Sequence, residues 1–170
     1  KNYLYAYLFG AGDGKLGQVL TGKTNVKVGK ESRVRFSKGI KGLEDLRKSI
    51  GRRWNNTYHS QGAGWFPALD GRPVFPTTEH QCLNYLLQTT EGITCKAALS
   101  YSMRKIKEEG LTAEPRLFYH DELAYVASKE DAKRVGEILQ ESFREAPKMF
   151  GVTCMDGGDY VIGSSYADVH

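Results

Sequence analysis

A chain of 170 residues suits one domain that buries roughly 70% of its unfolded surface, and 26% charged with 40% apolar residues excludes a disordered polymer. No apolar run approaches the ~20 residues that span a bilayer and no signal peptide opens the chain. The three cysteines (Cys82, Cys95, Cys154) lack metal-ligand spacing and read as reduced thiols.

The net charge of +4 hides an asymmetry: residues 1–60 hold 13 Lys/Arg against 4 Asp/Glu, and residues 61–170 hold 11 against 16. A basic first third suits contact with a polyanion, since each neutralised phosphate releases counterions, and it equally suits a plain solvated face.

Taken in chain order, residues 1–9 (KNYLYAYLF) are apolar and aromatic, with Tyr5 and Phe9 on one helical face. Gly10, Gly12 and Gly14 break that helix, and Lys15–Leu20 reads as a short helix ending near Gly22. Residues 21–42 are basic and weakly periodic, so a loop-rich excursion is expected. A short amphipathic helix follows at Leu43–Ile50, and residues 51–69 read as turns and irregular structure with room for a strand.

The second half is more regular. Asp70-Gly71-Arg72 predicts a turn, and Pro73 and Pro76 keep the next stretch extended. Thr78 and Gln81 predict a capping box that opens a helix running to about Glu109, kinked near Gly92, with Leu83, Leu86, Leu87, Ala97, Ala98 and Met103 as its apolar stripe. Arg116–Tyr119 and Leu123–Ala127 predict two strands joined at His120-Asp121-Glu122. Ser128 and Asp131 cap a helix to about Ala146, apolar at Ala132, Val135, Ile138, Leu139 and Phe143, and Val152–Met155 and Tyr160–Ile162 are candidate strands. The order predicts an α+β fold with an antiparallel sheet covered on one face by helices.

Three groups of residues carry possible chemistry. A carboxylate held at the turn of a hairpin, as in His120-Asp121-Glu122, suits Mg2+, which takes one or two carboxylates plus substrate phosphates; a solvated hairpin tip is the plain alternative. Asn84 and Gln88 stand one helical turn apart, with His80 a further turn back. Amides suit the N3 and O2 acceptors of every minor groove, or simply a polar outward face. Lys1, Tyr5 and Phe9 at successive turns offer a cation for triphosphate oxygens and rings for stacking, or form a core stripe.

Together and in this order, these features resemble family A (polymerase I-like) DNA polymerases, and most nearly the replicative enzymes of short-tailed phages. Residues 1–10 (KNYLYAYLFG) resemble the family's fingers motif, and Ala11–Gly17 (AGDGKLG) its phage version. Asp70-Gly71-Arg72 with Asn84 and Gln88 resembles the second signature, and His120-Asp121-Glu122 the palm motif. The chain ends about fifty residues later, and His170 matches too. On this resemblance, residues 1–69 form a fingers segment and residues 70–170 a palm segment with the hairpin.

The resemblance implies roles at the matching positions. Lys1 contacts the incoming triphosphate and can protonate the pyrophosphate leaving group, Tyr5 packs near the incoming sugar, and Phe9 near the templating base. Asn84 and Gln88 touch the minor groove beside the primer end, with His80 and Arg72 in the DNA-binding set. Asp121 ligates the metal ions, His120 sits near the primer terminus and Glu122 supports the site. Phe9 stands where the family usually has tyrosine, which removes a hydroxyl, and Ala6 replaces a common glycine.

The expected activity is template-directed nucleotidyl transfer from a dNTP to a primer 3′ hydroxyl with two Mg2+ ions, in the cytoplasm of a phage-infected bacterium. The expected partners are primer–template DNA, dNTPs, a processivity or helicase protein, and the upstream part of the polymerase. That part holds the family's first metal-binding aspartate and thumb, so the chain is expected to be incomplete alone. A non-catalytic DNA-binding or scaffolding subunit of the same fold and a metal-dependent nuclease around His120-Asp121-Glu122 are the rival readings.

Overall fold

The computed structural model describes residues 1–169, and His170 lies outside the described residues. The chain forms two compact units, Lys1–Thr89 and the residues from Thr90 on.

The first unit is mainly helical: α1 (Asn2–Leu8), α2 (Asp13–Thr21), α3 (Val26–Gly39) and α4 (Leu43–Gln61). A small hairpin of β1 (Phe66–Pro67) and β2 (Pro73–Val74) and a 3₁₀ turn (Glu79–Gln81) then lead into α5 (Cys82–Glu108). Gly22 ends α2, as the sequence predicts; it takes the left-handed conformation at φ 78°, and its N–H donates to the Gln18 carbonyl.

Residues 26–39 form a 14-residue helix, α3, where a loop-rich excursion was expected. The Asn25 side chain caps it by accepting from the Val28 N–H. The helix packs through backbone: a Cβ at Gly29 would lie 1.7 Å from the Asp13 carbonyl oxygen, and one at Gly17 of α2 would lie 1.9 Å from that of Asn25. Only glycine permits such an approach.

The second correction concerns α4, which runs to Gln61, well past the expected end at Ile50. Its later turns are anchored by Trp54, 8% exposed, whose indole N–H donates to the Pro76 carbonyl at 2.9 Å. Trp54 also stacks on Tyr58 one turn on, at 5.1 Å between centroids. The expected irregular structure starts only beyond Gln61, and the strand expected within 51–69 is β1, where Phe66 pairs with Val74.

The capping box at Thr78 is present: Gln81 accepts from the Thr78 N–H, and the Thr78 side chain caps in return. It introduces α5, whose 27 residues begin in the first unit and end in the second. Leu83 and Ala98 of the predicted stripe are buried, whereas Leu87 and Met103 are exposed. Thr94, Cys95, Ser102 and Ile106 are buried in their place. The hydroxyls of Thr94 and Ser102 donate to carbonyls one turn back, so their burial leaves no polar atom unpaired.

In the second unit β3 (Ala113–Tyr119) and β4 (Glu122–Ala127) pair antiparallel, with Tyr119 opposite Glu122 and an irregularity between Pro115 and Leu117. The hairpin, α5 and α6 (Ala132–Glu145) share a core of Ile106, Val135 and Ile138, flanked by Leu111, Ala113, Tyr125, Ala127 and Leu139. This is the α+β arrangement the sequence predicts. Ser128 and Asp131 act ahead of α6 as expected, since Asp131 accepts from the Ser128 hydroxyl and from the Thr112 N–H.

A 3₁₀ turn (Ala146–Phe150) follows, and the last helix is α7 (Tyr166–Val169). The candidate strands at 152–155 and 160–162 are not strands. The segment instead lies along α6: the Tyr160 ring covers Gly136, and Gln140 donates to the Gly158 carbonyl at 2.7 Å. Its residues are anchored to a helix and not to a neighbouring strand.

Candidate active site

In the first unit, α1 carries two aromatic pairs, each spaced by one turn, and two residues of offset place them on opposite sides. Tyr3 and Tyr7 face α3, with centroids 5.5 and 4.7 Å from Phe36, and the Tyr3 hydroxyl donates to Ser32 at 3.0 Å. Burial of Tyr7, with Glu44 nearby, raises its pKa. Tyr5 and Phe9 are 48% and 54% exposed, their rings 6.5 Å apart, and Lys1 at the helix N-cap is exposed. The core-stripe alternative for Lys1, Tyr5 and Phe9 is therefore overturned: the stripe in contact with the protein is Tyr3 and Tyr7. The same i, i+4 spacing in the sequence could have shown it.

The turn after α1 is fixed from two sides. Gly10 stands at φ +76° with its Cα against the backbone of His80: a Cβ there would lie 3.0 Å from the His80 carbonyl oxygen and 3.3 Å from its ring. Arg33 of α3 donates to the Ala11 carbonyl and to the Asp13 carboxylate, both at 2.6 Å. Sequence reasoning missed Arg33, whose partners lie twenty residues and more away in the chain.

His80 is exposed, with a ring nitrogen 3.4 Å from the Thr78 hydroxyl. Asn84 is half-buried and Gln88 exposed one turn later on α5. Their mount is braced by Glu79, which accepts from Asn55 at 2.8 Å and lies against Gly51 of α4. Arg72, in the expected DNA-binding set, is exposed and paired with Asp70, its Nε donating at 2.7 Å. That hydrogen bond lowers the Asp70 pKa.

In the second unit, His120 and Asp121 form the tip of the β3–β4 hairpin, and Glu122 begins β4. His120 has φ +52°, the one non-glycine residue with positive φ among those described. A left-handed residue with a side chain costs about 1–2 kcal/mol, and such strain recurs at functional sites. The His120 ring lies edge-on to Tyr119 at 4.3 Å. Asp121 is exposed and Glu122 half-buried.

Two neighbours of the tip were not found from sequence. Tyr166 of α7 has a raised pKa, chiefly from desolvation and then from Glu122 and Tyr119. Cys95 of α5 is pushed up to about 11 by burial, with Glu91 and Asp121 adding to it. Cys82 and Cys95 are buried and Cys154 is exposed.

Asp121 and Glu122 are the donor set a divalent cation would meet here. Adjacent carboxylates fit Mg2+, which draws its remaining ligands from water and phosphate. Among the described residues no three His, Cys, Asp or Glu side chains gather into a metal-binding group. The pair therefore fits such a site only in part.

The chain matches the solved POL domain of Pol1 from M. smegmatis in complex with DNA primer-template and dNTP, with a TM-score of 0.68, 19% identity, and coverage of 84% of this chain and 26% of that one. In sequence it is 28% identical over 186 residues to the DNA-directed DNA polymerase of Enterobacteria phage T3, covering 100% of this chain and 26% of that protein. It is 26% identical over 117 residues to DNA polymerase I of Aquifex aeolicus (strain VF5), covering 69% and 20%. No protein-family model matches.

In sequence the chain is thus similar to DNA-directed DNA polymerases, a phage enzyme and a DNA polymerase I among them. It spans a fifth to about a quarter of the length of the curated relatives it matches. No helix among the described residues is long and apolar enough to cross a membrane.

Proposed function

We propose that this chain supplies part of the nucleotide and primer-terminus machinery of template-directed DNA synthesis, its residues acting within a larger polymerase. The observation that carries the reading is the outward face of α1, where Tyr5 and Phe9 stay exposed while Tyr3 and Tyr7 hold the helix to α3. Large aromatics left in solvent cost burial free energy, about 1.5–3 kcal/mol for a fully buried side chain, and a base or sugar to cover them offsets that cost.

In the reaction the primer 3′ hydroxyl gives up its proton to water and its oxygen bonds to the α-phosphorus of the dNTP, the bond from that phosphorus to the bridging oxygen breaks, and pyrophosphate leaves. Lys1 would hold triphosphate oxygens and give its proton to the leaving pyrophosphate. Tyr5 would pack beside the incoming sugar and Phe9 beside the templating base. Asn84 and Gln88, with His80, would accept and donate at the minor groove, where the acceptors are common to all base pairs, so duplex geometry is checked without reading sequence. Arg72 belongs to the same DNA-binding set once Asp70 releases it.

Asp121, supported by Glu122, would hold divalent cations, which in such reactions stabilise the charge on the attacking and leaving oxygens. His120 would stand near the primer terminus. The strained hairpin tip supports the placement, because a two-residue loop between paired strands fixes a carboxylate more firmly than a long loop does. The remaining carboxylates would come from the rest of the polymerase, as would any contact with a processivity or helicase protein.

The test is single-nucleotide primer extension with Mg2+ by the full protein, wild type beside Asp121→Ala. The expected outcome is a loss of incorporation of about a hundredfold or more, the scale of removing one charge-stabilising group, with primer–template binding nearly unchanged. Turnover retained by Asp121→Ala would sink the metal assignment.

A further inference from the structure

A second charged surface lies on the side of α3 turned away from α1. At 3.6 residues per turn, Lys27, Lys30, Arg35 and Lys38 share one arc of this helix with Val34 and Glu31. All six are exposed. The contact residues Gly29, Ser32 and Phe36 occupy the opposite side, where they meet the Asp13 backbone, Tyr3 and Tyr7.

Among the described residues no acid pairs with these four cations. The acids that neutralise this part of the chain are spent elsewhere: Asp13 on Arg33 at 2.6 Å, and Glu44 on Arg47 at 2.8 Å and Lys48 at 3.7 Å. Four like charges on one helical face repel, and only Glu31 lies among them to relieve it. The stripe from Lys27 to Lys38 is about 16 Å long, a length over which one DNA strand offers several phosphates.

We propose that this face of α3 binds the phosphate backbone of double-stranded DNA, at a surface separate from the nucleotide-binding face of α1. The proposal deepens the polymerase reading and rests on it for DNA as the polyanion. Protein interfaces are anchored by aromatic and apolar residues in desolvated pockets, whereas this face offers three lysines, one arginine and a single valine. Single-stranded sites combine cations with aromatic stacking platforms, and no aromatic residue lies on this arc. What remains is sequence-independent attraction to a duplex backbone.

The test uses the full protein with Lys27, Lys30, Arg35 and Lys38 all changed to Gln, beside a variant with the three lysines changed to Arg. Equilibrium binding of a fluorescent blunt duplex and of a single strand of equal length is followed against salt concentration, with a thermal melt to confirm folding. The slope of log K against log salt for the duplex should become shallower by up to about 3.6, near 0.9 for each of four phosphates that are no longer neutralised. Duplex affinity at low salt should fall at least about tenfold, and the arginine variant should keep both. Single-nucleotide insertion at saturating primer–template should not change.

An unchanged duplex slope would overturn the proposal, whatever the enzyme's activity. So would a larger effect on the single strand, or intact DNA binding with abolished binding of polyglutamate, which would mark a protein-docking face. A slope that falls as expected in a protein unable to extend primers would leave this surface standing and remove the polymerase reading.

Discussion

In the first unit backbone approaches backbone, with Gly29 against the Asp13 carbonyl and Gly17 against Asn25, while the second unit packs aliphatic side chains around Ile138. Glycine contacts admit no added atom, so their tolerance is all or none. An aliphatic core loses stability in proportion to the volume removed, because its neighbours relax part of the way. The first unit carries the basic surface and the exposed α1 face; its helices are held by close approach, aromatic edges and buried hydrogen bonds.

The largest expected effect is that of Gly29→Ala. The added methyl would stand 1.7 Å from the Asp13 carbonyl oxygen, so α2 and α3 must separate. A loss above about 4 kcal/mol, or failure to fold, is expected from a clash with backbone that no rotamer can relieve. Gly39→Ala is the matched control: no atom lies within 4 Å of the added methyl, and alanine favours the helix. Denaturant melts that showed both variants near wild type would refute the close approach of the two helices.

Ile138→Ala should cost about 3 kcal/mol, since Ile138 is 0% exposed and central to its cluster. Leu139→Ala, partly buried beside it, should cost less. If the two cost the same in a urea melt, the graded-core description of the second unit fails, and the contrast with the first unit fails with it.

The same contrast decided what the sequence could reveal. The cores of α6 and of the hairpin were legible because Val135, Ile138 and Leu139 follow helical spacing, and the capping box at Thr78 and the Ser128–Asp131 pair mark where helices begin. Helix α3 was not legible: Val26, Val28, Val34 and Phe36 point in four directions, and the packing face is Gly29 and Ser32 as much as any apolar residue. The second half of α4 reads as irregular because Gly51, Asn55 and Asn56 are poor helix formers, and distant partners, Pro76 and Glu79, outweigh that propensity. Of the candidate site, the i, i+4 faces and the hairpin tip were readable. Arg33 and Tyr166 were not, because their partners lie far along the chain.

The smallest effect on stability belongs to Tyr5→Phe, and it is the most informative about the site. Tyr5 is 48% exposed and packs beside Phe9 without a hydrogen bond, so losing its hydroxyl should change stability by less than about 0.5 kcal/mol. Its neighbour one face round, Tyr7, is 5% exposed and stands against Phe36. The resemblance to family A polymerases implies that tyrosine at this position admits dideoxynucleotides and phenylalanine excludes them. The ddNTP/dNTP incorporation ratio should therefore fall at least about tenfold in Tyr5→Phe, a discrimination of about 1.4 kcal/mol. A hydroxyl that contributes almost nothing to the folded chain would then govern the choice of sugar. An unchanged ratio would mean that the exposed face of α1 is not where the sugar sits, and the residue assignments built on Lys1, Tyr5 and Phe9 would fall together.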